Sequence, residues 1–189
     1  MIGPLEASAV GRELKVSSGD SSKVIKDVLV GEVWIGSGQS NMEEPMKYLP
    51  HPDELKKHRD AHLRVFMTER KSSLDRELSV VQGQWKPVAP ENTPSFSGIA
   101  YFFGKKLRKA LDVPVGVIVS SWGGTRVNFW MSPESYTQAK SWSELPGFYA
   151  NNGPYNSHLF KGMIAPLIPY GIKGFLWYQG ESSSENVDA

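Results

Sequence analysis

Between Ser97 and Leu111 apolar side chains recur at spacings of three and four. Ile99, Phe102, Phe103, Leu107, Ala110 and Leu111 make one stripe, opposite Lys105, Lys106, Arg108 and Lys109. That period predicts an amphipathic helix, and Pro114, which has no N–H to donate, predicts its end. The unbroken apolar run 115–119 that follows reads as a strand buried on both faces, the pattern of a parallel sheet covered by helices. Upstream, residues 13–16 and 24–35 read as extended segments flanking the polar turn 17–22, a hairpin that leads into a first core strand. Downstream, residues 159–168 predict a short helix and 174–178 a third core strand. Residues 47–95 are polar and broken by Pro50, Pro52, Pro87, Pro90 and Pro94, with 63–67 as a short extended piece. Strand, helix and strand in succession make a βαβ unit, so the pattern predicts an α/β fold.

Composition narrows this to one ordinary globular domain. The chain has 189 residues, 40% hydrophobic and 22% charged. A formal net charge of +1 gives no reason to expect nucleic acid as a partner, and the basic residues of 47–76 alternate with Asp53, Glu54, Asp60, Glu69 and Asp75 as a solvated surface does. Cysteine is absent, which excludes disulfides and thiolate metal sites. No apolar run approaches the length of a membrane span, so no membrane partner is expected. Histidines and carboxylates show no metal-ligand spacing, and no metal or other cofactor is expected.

Candidate chemistry gathers where the predicted strands end. Ser40 follows strand 28–35 through Gly36 and Gly38, which admit backbone angles that other residues resist. A serine after such a turn exposes its hydroxyl, and its own N–H is free to face a bound oxygen. Ser121-Trp122-Gly123-Gly124-Thr125 follows the second strand and Gln179-Gly180-Glu181 the third. In open α/β sheets ligands bind at these carboxyl ends. Gln179 and Glu181 stand two apart, so in an extended segment they share a face. Taken singly, each feature has an ordinary reading: a serine in a turn, a tight Gly-Gly turn, a polar strand end.

The three segments together resemble the SGNH hydrolases. Gly38-Gln39-Ser40-Asn41-Met42 is similar to the first sequence block of the sialate O-acetylesterase branch of carbohydrate esterases. Residues 121–125 are similar to its second block, and 162–167 with Trp177-Tyr178-Gln179-Gly180-Glu181-Ser182 to the third and its approach. The resemblance implies a three-layer α/β/α, flavodoxin-like fold with a parallel sheet, with residues 27–189 as the esterase domain and 1–26 as the remnant of a preceding β-rich region or hairpin. It implies a serine esterase that works on acetylated carbohydrate without a cofactor, with Ser40 as nucleophile. The oxyanion hole would comprise the N–H groups of Ser40 and Gly124 and the side-chain amide of Gln179. Glu181 would orient a catalytic histidine, a task that an aspartate three residues before the histidine performs in many relatives. Asn41 and Trp130 are expected at the sugar, with Trp142 a second stacking candidate.

The family carries its histidine in a late Asp-x-x-His block. None of His51, His58, His62 and His158 follows an aspartate by three, so the expectation is a chain whose carboxyl-terminal part, base included, is missing. Lys161 and Ser183 stand where the branch commonly has asparagine. An acetylxylan or other polysaccharide deacetylase, and a catalytically silent carbohydrate-binding domain, remain open.

Overall fold

In a computed structural model the described residues are 5–139 and 156–183; Trp142 lies outside them. Strands β1 (Ser8–Ser18) and β2 (Ser21–Val30) form a separate antiparallel hairpin. The expected single extended segment 24–35 therefore breaks in two at Gly31. A Cβ there would lie 1.9 Å from the Pro114 carbonyl oxygen, and Glu32 donates its N–H to that same oxygen at 3.0 Å. The chain turns at this contact and enters the main sheet as β3 (Glu32–Gly38).

After β3 come the short helices α1 (Ser40–Glu43) and α2 (Pro52–Lys57), then β4 (Asp60–Thr68) and β5 (Gly83–Val88). Helix α3 (Gly98–Leu111), β6 (Val115–Ser121), α4 (Pro133–Ala139) and β7 (Gly174–Tyr178) complete the regular elements. The sheet order is β5-β4-β6-β3-β7, parallel except for β5, which pairs antiparallel with β4. This is the expected α/β class with a central, mostly parallel sheet. Two of its strands lie in the polar, proline-rich third, where the sequence signals only 63–67.

Helix α3 closes one face of the sheet. Ser97 caps it by accepting the Ala100 N–H at 3.1 Å, an interaction worth about 1 kcal/mol. The same hydroxyl donates to the Met42 carbonyl at 2.6 Å, tying the start of α3 to α1. Val115, Val117 and Val119 point from β6 to the α3 side, where they pack with Leu63, Val65, Ala100 and Tyr101. Ile118 faces the other way, toward Ile35 and Leu167. Each buried valine contributes about 2 kcal/mol.

The segment 159–168, expected as one α-helix, instead forms a π-helical turn over Phe160–Ile164 and a 3₁₀ turn over Ala165–Leu167. Its backbone is engaged elsewhere: Leu78 donates to the Lys161 carbonyl at 2.9 Å, and Gly162 lies so close to Lys71 that a Cβ would come within 2.0 Å of its carbonyl oxygen. Pro166 also lacks the N–H that an α-helix would use. Along β7, Phe175, Trp177 and Tyr178 are exposed, and the outer edge of this strand has no partner among the described residues.

A polar cluster joins α2 to α3. Lys105 Nζ donates to both carboxylate oxygens of Glu54 at 2.6 Å, Tyr101 donates its hydroxyl to Glu54, and His58 Nδ1 lies 2.6 Å from that hydroxyl. These bonds, from Lys105 first and Tyr101 next, hold the Glu54 carboxyl below its ordinary value of 4.5. Burial, then the Glu54 bond, pushes the Tyr101 hydroxyl up. A depressed carboxyl adds stability above its unfolded pKa and loses it as pH falls through the folded one. Glu54→Gln is therefore expected to be less stable than wild type near neutrality. Below the ordinary value of 4.5 the gap between the two should narrow, which thermal unfolding across pH would read. An unchanged gap would show that Glu54 contributes no ionised bond.

Candidate active site

The registers of three strands bring the three sequence blocks to one level. Gly38, the last residue of β3, lies opposite Ser121, the last of β6, on one side, and opposite Tyr178, the last of β7, on the other. Trp122 donates its N–H to the Gly38 carbonyl at 3.1 Å, and Gln39 donates to the Tyr178 carbonyl at 3.0 Å. Gly38 has φ +141°, and a Cβ on it would lie 1.9 Å from the Tyr178 oxygen, so only glycine fits between these strand ends.

From that junction Ser40 opens α1 with its side chain exposed. As the first residue of a helix it has an N–H with no acceptor in a preceding turn. Gly123 sits directly against it, with an added Cβ only 3.3 Å from Ser40 Cβ. Gly124 follows at φ +72° in open space, and its N–H has no acceptor among the described residues. Gln179 Nε2 donates to the Thr125 carbonyl at 3.2 Å and to Ser183 Oγ at 2.7 Å. Its amide thus lies beside the Gly123–Gly124 turn with both N–H groups engaged, and meeting a substrate oxygen requires exchanging one of those acceptors.

A family model described as carbohydrate esterase, sialic acid-specific acetylesterase, matches residues 30–189, which takes in all three blocks. The chain belongs to this sialic acid-specific acetylesterase family. It is 32% identical over 171 residues to a sialate O-acetylesterase of Pongo abelii and to one of Homo sapiens, in each case across 84% of this chain and 32% of the relative. The chain thus spans about a third of the length of the curated relatives it matches. A crystal structure titled as a novel carbohydrate acetylesterase from Xanthomonas citri superposes with a TM-score of 0.82 at 33% identity. The match covers 96% of this chain and 40% of that one.

Within this member of the acetylesterase family, two residues organise the site that the sequence does not single out. Gln39 is 3% exposed and accepts the N–H groups of Ser182 at 3.2 Å and Gly180 at 3.5 Å, which fastens the third block to the first. Glu43 accepts the Gly123 N–H at 3.0 Å and Arg70 Nη2 at 2.8 Å. The signal for both is their place in the Ser40 motif, one residue before the serine and three after it. Ser183 Oγ is the nearer of the two acceptors that hold the Gln179 amide.

Other expected residues take different surroundings. Strand β7 ends at Tyr178 and Glu181–Ser183 form a 3₁₀ turn, so Gln179 and Glu181 lie beyond the extended segment on which their expected shared face rests. Glu181 instead accepts a hydrogen bond from Asn41 Nδ2. Trp130 is 6% exposed, packs with Leu159 and Met163, and donates Nε1–H to Thr125 Oγ1 at 2.9 Å. Its buried ring supports the loop after Gly124 and offers no open face for a sugar. Trp122, by contrast, is half-buried, with the Arg70 guanidinium 5.7 Å from its ring. His51, His58 and His62 contact Phe102, Tyr101 and Arg108 of α3, and His158 packs on Phe129. Beside Ser40 lies a cavity of about 310 Å³, lined in part by Glu43, Met67, Thr68, Arg70 and Ser121. No cluster able to hold a metal occurs among the described residues, and no helix there is long and apolar enough to cross a membrane.

Proposed function

We propose that this chain carries the nucleophile and oxyanion side of a carbohydrate O-acetylesterase acting on O-acetylated sialic acid. The observation that carries this reading is the common level of Gly38, Ser121 and Tyr178, which gathers Ser40, Gly124 and Gln179 at one end of the sheet. Ser40 Oγ attacks the acetyl carbonyl carbon, and the carbonyl electrons move to oxygen as the oxyanion. The Ser40 and Gly124 N–H groups receive that charge, joined by the Gln179 amide once it releases an acceptor. The base that takes the Ser40 proton gives it to the departing sugar oxygen as collapse leaves acetyl on Ser40; water then attacks the acyl carbon, losing a proton to the same base, and acetate leaves as Ser40 Oγ regains its proton.

The proton of Ser40 needs a base, and no histidine of this chain stands in an Asp-x-x-His pattern. Glu181 accepts a hydrogen bond from Asn41, the residue after Ser40, which supports its reading as the carboxylate that orients the base. Sialic acid is preferred as the sugar because the matching relatives are named sialate O-acetylesterases.

Acetate release from O-acetylated N-acetylneuraminic acid and from acetylated xylo-oligosaccharides, with fluorophosphonate labelling mapped by mass spectrometry, tests this. Faster release from the sialic acid ester and a label on Ser40 are expected. Preference for the xylo-oligosaccharide would replace the sugar but keep the chemistry. Saturable sugar binding with neither acetate release nor label would make the chain a binding domain. Gln179→Ala should lower kcat by about 10²-fold with KM little changed, the effect of removing one oxyanion donor. Unaltered kcat would leave the Gln179 amide as a brace for Thr125 and Ser183.

A further inference from the structure

Glu43 lies three residues beyond Ser40 on the same helical turn, and its side chain is 19% exposed. One of its oxygens, Oε1, takes two donors from different strand ends. Gly123, just past β6, gives its backbone N–H at 3.0 Å, and Arg70, just past β4, gives Nη2 at 2.8 Å. Arg70 in turn lies over the ring of Trp122, the residue before Gly123. The carboxylate therefore ties the nucleophile's own helix to the loop that carries Gly124, while the guanidinium offsets its charge.

The fit is close. A Cβ on Gly123 would lie 2.8 Å from Glu43 Oε1 and 3.3 Å from Ser40 Cβ, so the loop and the helix touch with no side chain between them. Of the two consecutive glycine N–H groups, Glu43 occupies that of Gly123. The Gly124 N–H is left without an acceptor among the described residues. A donor aimed at a developing oxyanion works because it is already in place when charge appears. Whatever holds the Gly123–Gly124 turn against Ser40 sets that placement.

We propose that Glu43 is a positioning residue: by binding the Gly123 N–H it locks the second block against Ser40 and leaves Gly124 as the backbone donor for the acyl oxygen. The role rests on the esterase reading given above, and Glu43 acts in it through Gly123 rather than on the reacting atoms. Loss of the carboxylate frees the turn and lets the Gly124 N–H drift from the oxyanion. Glutamine keeps an oxygen acceptor for Gly123 and loses only the charge that Arg70 meets. Glutamine should therefore rescue most of what alanine loses.

The test combines kinetics with amide exchange on the whole 189-residue chain. In wild type and Glu43→Gln the Gly123 amide, followed by nitrogen-15 NMR, is expected to be protected. In Glu43→Ala it should exchange at least about tenfold faster, as a freed surface amide does. Acetate release from a chromogenic acetate should fall about 10²-fold in kcat for Glu43→Ala with KM within about threefold, and Glu43→Gln should recover at least about a tenth of the wild-type rate. Should the alanine variant fail to fold, Glu43→Asp, whose carboxylate is one methylene short of Gly123, replaces it with the same expectations. Unchanged Gly123 exchange would overturn the proposal, as would a loss carried by KM alone or one equally deep in Glu43→Gln. If wild type shows no Ser40-dependent release, no base reaches Ser40 in this chain, and Gly123 exchange alone decides whether Glu43 holds the turn: protection lost in Glu43→Ala supports the proposal and unchanged exchange overturns it.

Discussion

In a version of the domain that supplies Ser40 with its base, Ser40→Ala is expected to abolish fluorophosphonate labelling and to lower the kcat for acetate release by about 10⁴-fold or more, the scale seen when a hydrolase loses its nucleophile. Every other part of the proposed site stays in place in this variant. The Ser40 side chain is exposed, no hydrogen bond ties it to the core among the described residues, and alanine is a good helix former at the start of α1. Stability should therefore change by no more than about 0.5 kcal/mol, so lost activity cannot be ascribed to unfolding. Thermal unfolding alongside the kinetics checks this. Undiminished turnover in a folded Ser40→Ala protein, or a label mapped to Ser37 or Ser121, would move the nucleophile elsewhere. Both of those serines are buried at the strand ends, at 0% and 6% exposure, and neither presents its hydroxyl to solvent as Ser40 does.

Gly38→Ala should have the largest effect on the fold itself. The residue holds φ +141°, a conformation that side chains rarely adopt, and the new methyl carbon would lie 1.9 Å from the Tyr178 carbonyl oxygen. That oxygen is backbone and is already bonded to the Gln39 N–H, so neither partner can move without parting β3 from β7. Destabilisation of about 4 kcal/mol or more is expected, enough to leave a marginally stable domain unfolded. Guanidinium denaturation measures it, with Gly180→Ala as the comparison. A Cβ at Gly180 meets nothing within 4 Å, and that variant should stay within about 0.5 kcal/mol of wild type. A Gly38→Ala protein as stable as Gly180→Ala would mean that β3 and β7 do not meet in this register.

Features carried by local pattern are legible in the residues themselves. Helix α3 shows a strong 3.6-residue period with a serine cap and a proline stop, and it forms within a residue of its expected bounds. β6 opens with an unbroken apolar run and β7 is an apolar segment with a glycine start, so both read directly as strands. Elements whose identity depends on distant contacts do not read this way. β5 carries Pro87 inside its span and forms a strand because it pairs antiparallel at the sheet edge, where a missing N–H is tolerated. The segment 159–168 has a helical pattern but surrenders the Lys161 carbonyl to Leu78 and the space beside Gly162 to Lys71. Trp130 sits in loop-like sequence, which suggests exposure, yet Leu159 and Met163, far along the chain, bury its ring.

Residue order alone carries the α/β class, the family and the identity of the three blocks, because these depend on short-range periodicity and on residue types in a fixed succession. It also puts Ser40, Gly124 and Gln179 each at the end of a strand. The folded sheet was needed to show that those ends share one level, that Gln39 and Glu43 fasten the blocks to one another, and that Gln179 rests on Thr125 and Ser183. Hydrogen bonds such as Glu43 to Gly123, 80 residues apart, leave no period or propensity in the chain. They depend on which strands lie side by side, and strand order is a property of the whole sheet.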